Sequence, residues 1–396
     1  MNATRASAVV APETLDEATA VLAEAAARGD AVSFVGGGTE LGLGYALKHV
    51  DLLVKTGALT KTVEYAPADM VVEVEAGRTL ASLQAELAPH GQRLALDAPH
   101  PELATIGGLV ATNAFGPRRT RFGSLRDLIV GVSLVRADGI RVRGGGKVVK
   151  NVAGFDLPKI AVGSLGTLGM IATATFRLHP LPETARTLRV AGCDASLVRR
   201  LTRETTARQL EPAALLATFD DGSYSFYAMF EGFALGVIEQ AERFERLAAE
   251  FGATAEVLED AALASTRDET IRTRGDVRVR LSVPPAALEE LHRDALGPLL
   301  ATFDDAKAVV YAAFGVAFVS GYLRDAAAAA ATFARARASA EALGGNAVLI
   351  DARDAAFVER VDVYGTLPAS FPLMRRLKDR FDPAHRFNAG RFLGGL

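Results

Sequence analysis

Val32-Ser33-Phe34-Val35-Gly36-Gly37-Gly38-Thr39-Glu40-Leu41-Gly42 is the stretch from which the rest of the chain is read. A short, mostly apolar run, too short for a helix, drops directly into three consecutive glycines. Glycine enters the left-handed region without a Cβ penalty, so successive amides can turn toward one point and cradle an anion such as a diphosphate. An ordinary tight turn after a strand is the competing reading. A Rossmann fingerprint fits less well, because it opens a helix at its glycines. Here Leu41-Gly42-Leu43-Gly44 follows, and each extra glycine in a first helical turn costs roughly 1 kcal/mol relative to alanine. No Gly-Lys-Ser or Gly-Lys-Thr is present for a P-loop. A dinucleotide is the ligand this loop suggests.

The flanking residues supply the frame. Residues 14–28 read as an amphipathic helix, with Thr14 and Glu17 as a capping box and Gly29 as its stop. Strands are expected at 32–35, 51–54 and 71–75, a helix at 80–88, and strands at 128–136 and 140–143 around the Asp138-Gly139 turn. Another strand is expected at 169–178, with the glycines of this block in loops. His179-Pro180-Leu181-Pro182 breaks any regular element, which places a boundary near 183. Beyond it the pattern gives strands at 213–219 and 223–230 about Asp220-Asp221-Gly222, a helix at 233–251, and a strand at 277–283. A helix at 285–297, a strand at 307–319, a helix at 324–343 and a strand at 346–351 complete it. The fold class expected is α+β, with an antiparallel sheet in the second block and an irregular, proline-marked tail after about 355.

Composition narrows the function. At 396 residues two domains are expected. The net charge of −3, with both signs interspersed, argues against a nucleic-acid partner. No 18-residue apolar run or basic-then-apolar leader is seen, and the alanines at 326–331 are followed by Arg335 and Arg337. A soluble chain without a membrane segment is expected. The single cysteine, Cys193, excludes a disulfide framework or an iron–sulfur cluster built by this chain alone. The six histidines are scattered, so no metal site is expected.

Four further glycine-bearing segments precede residue 172: Ala104-Thr105-Ile106-Gly107-Gly108, Phe122-Gly123-Ser124-Leu125-Arg126-Asp127, Gly144-Gly145-Gly146-Lys147 running to Lys150-Asn151-Val152-Ala153-Gly154-Phe155, and Gly163-Ser164-Leu165-Gly166-Thr167-Leu168-Gly169. Each alone is an ordinary turn; together they form a constellation. In this order they resemble the FAD-binding domain of the vanillyl-alcohol oxidase (PCMH-type) superfamily. Leu377-Lys378-Asp379-Arg380-Phe381-Asp382-Pro383 and Phe387-Asn388-Ala389-Gly390-Arg391-Phe392 resemble the closing signature of that group. Within it, Gly116-Pro117-Arg118-Arg119, the 150–157 stretch and the short length resemble the flavin-binding E subunits of bacterial glycolate oxidases.

The resemblance implies a two-lobed FAD-binding domain over 1–183, a cap over 184–354, and a tail at 355–396 returning to the FAD domain. Gly36, Gly37, Gly38, Thr39 and Glu40 would bind the diphosphate side of FAD. Thr105, Ile106, Gly107 and Gly108 would line its other side and the ribityl chain. Asn113 and Gly116 would approach the isoalloxazine, Lys150, Asn151, Gly154 and Phe155 the flavin or adenine, and Ile171 would pack on the adenine. Arg118 and Arg119 are expected at the surface, at a partner, or at the flavin. Covalent members carry a histidine beside the first loop; none lies here, so FAD is expected to be dissociable. A histidine-rich metal motif typical of the related 2-hydroxy-acid dehydrogenases is also missing from 183–396. The implied function is oxidation of glycolate or another short 2-hydroxy acid. The implied partners are a larger homologous flavin subunit and an iron–sulfur subunit, in the cytoplasm or peripheral at the inner membrane. A free-standing dehydrogenase is the alternative. No residue is identified as the catalytic base.

Overall fold

The computed structural model describes residues 6–146, 156–258 and 275–396. The expected site residues Lys150, Asn151, Gly154 and Phe155 lie outside them. The chain forms two compact units, one from residues up to Gly116 with Phe122–Leu181 and Thr366–Leu396, the other from Pro117–Arg121 and Pro182–Gly365. Among the described residues no helix is long and apolar enough to cross a membrane.

In the first unit, β1 (Ala8–Val10), helix α1 (Leu15–Arg28), β2 (Val32–Val35) and β3 (Leu52–Lys55) make a parallel sheet in the order β1-β3-β2. Thr14 caps α1 by accepting the Glu17 amide, and Gly29 ends it at φ 78°. Glu17 reaches the amide of Glu13 instead of that of Thr14, so the expected box closes one residue early. Next come β4 (Thr62–Ala66), β5 (Val71–Glu75), α2 (Leu80–Leu87), α3 (Ile106–Thr112), β6 (Ile129–Val135), β7 (Arg141–Gly145) and β8 (Met170–Arg177). Their strands form an antiparallel sheet in the order β4-β5-β8-β6-β7. Val72, Val74, Leu83, Ile106, Val110, Leu128 and Phe176 form one core; Leu22, Val32, Val54, Met170, Ala172 and Phe387 form a second between the two sheets. One expectation fails here: Gly107 and Gly108 stand in the first turn of α3, not in a loop. Thr105 accepts the Gly108 amide as the N-cap, which offsets part of the glycine penalty.

The second unit is built on an eight-stranded antiparallel sheet. Its elements are β9 (Thr184–Cys193), α4 (Ala195–Ala207), β10 (Ala214–Asp220), β11 (Ser223–Gly232), α5 (Ala234–Glu250), β12 (Ala255–Leu258), β13 (Val277–Ser282), β14 (Asp304–Tyr311), β15 (Val316–Tyr322), α6 (Ala326–Ala342) and β16 (Asn346–Ala352). The strand order is β12-β9-β11-β10-β14-β15-β13-β16. The β10–β11 hairpin turns at Asp221 and Gly222, φ 47° and 82°, as a two-residue turn with positive dihedrals requires. The single strand expected at 307–319 is two strands: Ala312–Phe314 form a 3-10 turn and Gly315, at φ 67°, reverses the chain. The helix expected at 285–297 is broken into a 3-10 turn, a short α segment, a π segment His292–Leu296 and the helix Gly297–Thr302. Pro298 brings no amide to that ladder. Residues 184–207 add a strand and helix that sequence pattern did not anticipate; Asp194 caps the helix by accepting the Leu197 amide. The tail is not irregular either, since Phe371–Phe381 form helix α7 in the first unit.

Candidate functional site

Strand β2 delivers Gly36–Glu40 to an open cleft in the first unit, lined by these residues with Phe34, Leu41, Thr105, Gly108, Thr112, Leu165, Asn388 and Arg391. A neighbouring hollow shares Phe34, Gly36, Gly108, Ala111, Leu165 and Asn388, and continues to Gly107, Met170 and Ile171.

The three glycines of the loop are there for different reasons. Among them Gly38 alone is left-handed, at φ 73°. Gly36 and Gly37 are required by packing: a Cβ would fall 2.1 Å from Thr105 Oγ1 and 1.7 Å from the Leu103 carbonyl oxygen, respectively. Left-handed dihedrals therefore do not account for the whole loop, as the sequence reading assumed. Its amides nonetheless remain open. Among the described residues, those of Gly36, Gly37, Gly38 and Thr39 donate to no backbone carbonyl.

The second glycine segment differs. The Ile106 amide donates to Arg78 O at 2.8 Å and the Gly107 amide to Ala76 O at 2.7 Å, and the Ile106 side chain is wholly buried. Thr105 and Gly108 face the cleft, while Ile106 belongs to the core. Asn113 caps α3 at φ 53°, and among the described residues its buried Oδ1 has no partner. Gly116 is fixed by Asp97, whose carbonyl oxygen would lie 2.2 Å from a Cβ.

Asn388 and Arg391 line the same cleft but carried no site role in the sequence reading. Their signal was the tail signature itself. Arg118 pairs at 3.2 Å with buried Glu231, and the Arg119 guanidinium lies 4.8 Å over the Phe314 ring, both within the second unit. Tyr224, Tyr227 and Tyr311 are buried in that unit's core, with Tyr224 Oη 2.7 Å from His292 Nδ1. Cys193 is buried opposite Tyr224, and desolvation pushes its thiol up to about 11, so it is an inert core residue.

The fit to a dinucleotide rests on the open amides in the cleft and on an apolar cavity wall of Phe34, Ala111, Met170 and Ile171. Residues 6–145 match the family model for an FAD binding domain. The chain is 40% identical over 128 residues to glycolate oxidase subunit GlcE of Escherichia coli, a match covering 32% of this chain and 37% of that protein. It is 37% identical over 174 residues to a D-lactate dehydrogenase of Archaeoglobus fulgidus (43% and 38% covered), and 31% identical over 217 residues to glycolate oxidase subunit GlcD of Bacillus subtilis (52% and 44%). The matched stretches thus span less than half of each of these three relatives. Alkyldihydroxyacetonephosphate synthase has the same fold, with a TM-score of 0.73 at 17% identity over 96% of this chain and 76% of that one. Residues 6–145 thus carry the match to an FAD binding domain, and FAD is the cofactor this match supports.

Proposed function

We propose that this protein is an FAD-binding subunit of a glycolate oxidase-type complex. In this reading the complex oxidises glycolate or a similar short 2-hydroxy acid to the 2-oxo acid. The observation that carries the proposal is the cleft of open amides at Gly36–Thr39, in a chain whose relatives include proteins named as two different glycolate oxidase subunits. Bound FAD would supply a two-electron acceptor for the hydride from the α-carbon and release electrons singly to an iron–sulfur partner.

The residues of this chain have binding roles. The Gly36–Thr39 amides hold the diphosphate without needing a cation, Thr105 and Gly108 line the same cleft, and the apolar cavity side receives a ring and excludes water. FAD is held non-covalently. The second unit binds a larger flavin subunit, and attachment to a membrane, where it occurs, comes through the complex. Arg118 and Arg121 are anchored on Glu231 in this unit, which fits a structural more than a carboxylate-binding role for them.

The test is reconstitution. The native complex should contain flavin and iron and oxidise glycolate, and the isolated chain should be yellow yet slow with glycolate. Full glycolate oxidation by the isolated chain with FAD would instead favour a free-standing dehydrogenase.

A further inference from the structure

The strongest cluster of buried polar groups not explained by the cofactor lies in the tail. Lys378 and Asp382, on and just after α7, have side chains 1% and 0% exposed. Lys378 Nζ donates to Asp382 Oδ2 at 2.7 Å, to Thr167 O at 2.7 Å and to Phe387 O at 2.9 Å. Asp382 Oδ2 also accepts the Phe387 amide at 2.7 Å. Burying an ion pair this completely gains little stability over apolar packing. Its geometric effect is definite: it fixes where the chain leaves α7 and sets the course of residues 386–391.

That course runs against the glycine loop. The Val32 amide donates to Arg386 O and the Asn388 amide to Val32 O, so the tail adds a bridge to β2 just before the glycines. Asn388 is 4% exposed and left-handed at φ 44°. Its Oδ1 accepts the Ser33 hydroxyl and its Nδ2 donates to Leu165 O, both at 2.7 Å, joining β2 to the 163–169 turn across the cleft wall. Arg391 donates to Leu43 O at 3.1 Å and Leu41 O at 2.6 Å, and its carbonyl accepts the Tyr45 amide. The end of the cleft loop is thereby held from the tail, with a cation in the cleft wall.

We propose that Lys378–Arg391 is a clasp that shapes the FAD cleft, with Asn388 and Arg391 as positioning residues for the diphosphate loop. Ser33 and Asn388 are 355 residues apart, so the cleft acquires its shape when the two distant segments join. Preorganisation of this kind acts on affinity, because the bound loop geometry is already present in the free protein.

The test uses the full chain, stripped of FAD, with affinity read by flavin fluorescence quenching and integrity by far-UV circular dichroism. Asn388→Ala should weaken FAD by about thirtyfold, and Arg391→Met by about tenfold, with Arg391→Lys between Arg391→Met and wild type. Arg386→Met is the control: it removes only the side chain's part-buried bonds to Ala25 O and Ala137 O, away from the cleft, and leaves the backbone bridge of Arg386 to Val32 in place. It should lower the thermal midpoint yet leave FAD affinity within about twofold. Wild-type affinity in both cleft variants overturns the clasp, as does an Arg386→Met loss equal to theirs. Where Asn388→Ala does not fold, the Arg391 and Arg386 variants decide between these outcomes. The inference rests on FAD binding and not on glycolate. Wild-type chain that binds FAD but turns over no hydroxy acid leaves it intact, and wild-type chain that binds no FAD removes it together with the cofactor assignment.

Discussion

Gly36–Gly38 and Gly107–Gly108 look alike in sequence and line adjoining hollows of the first unit, yet they do different work. At both, glycine is demanded largely by close packing: Gly36 against Thr105, Gly37 against Leu103, Gly107 against Ala76. The difference lies in the amides. Those of Gly36–Thr39 point to no carbonyl among the described residues, whereas those of Ile106 and Gly107 are bonded to Arg78 and Ala76. A glycine cluster thus reports close approach; only its hydrogen bonds tell whether it can hold an anion.

The comparison is tested hardest at Gly37. Gly37→Ala sets a methyl 1.7 Å from a carbonyl oxygen, so the loop or the 103–105 segment has to move. A stability loss of about 3 kcal/mol in urea unfolding is expected, with loss of bound flavin. In the second unit, Glu231→Gln leaves the Arg118 guanidinium facing a neutral partner at a site where the acid is 1% and the base 29% exposed. A loss of about 1–2 kcal/mol is expected for that unit, with flavin content unchanged. At the other glycine pair, Gly107→Ala meets the Ala76 methyl at 2.8 Å, while Gly108→Ala meets only Thr105 Oγ1, at 3.2 Å. The first should cost about 1 kcal/mol net of improved helix propensity and spare FAD affinity. The second should leave the apoprotein unharmed and weaken FAD, since its methyl enters the cleft wall. Equal effects of the two on FAD would erase the distinction between these positions.

The smallest effect concerns pH. Burial holds the His292 imidazole below its usual 6.5, opposed by Asp194, and the neutral ring faces the Tyr224 hydroxyl. A depressed folded-state value means the unfolded chain binds the proton more readily. Stability from this group is therefore complete above pH 6.5 and declines as pH falls through the folded value. A midpoint for the second unit that falls on acidification below 6.5, with the decline reduced in His292→Asn, is expected from thermal melts.

Much of this was legible from residues 14–178: Thr14, Gly29 and Asp138-Gly139 mark real boundaries, and the strand expected at 169–178 is Met170–Arg177. The eight-stranded sheet was readable from turn chemistry at Asp221-Gly222. Failures occurred where tertiary partners override local signals. The helix at 106–112 begins with two glycines and stands because Thr105 caps it and Ala76 packs against it. The tail helix carries a lysine on its buried side, which no apolar periodicity reveals. Asn388 and Arg391 escaped as site residues because their role is set by carbonyls more than a hundred residues away.

If the amides of residues 36–39 grip the FAD diphosphate, residue-level hydrogen exchange on the chain with and without FAD should show strong slowing at Gly36–Thr39 on FAD addition, with little change at Ile106 and Gly107, whose amides are already bonded. Unchanged exchange at 36–39 in flavin-saturated protein would contradict that grip.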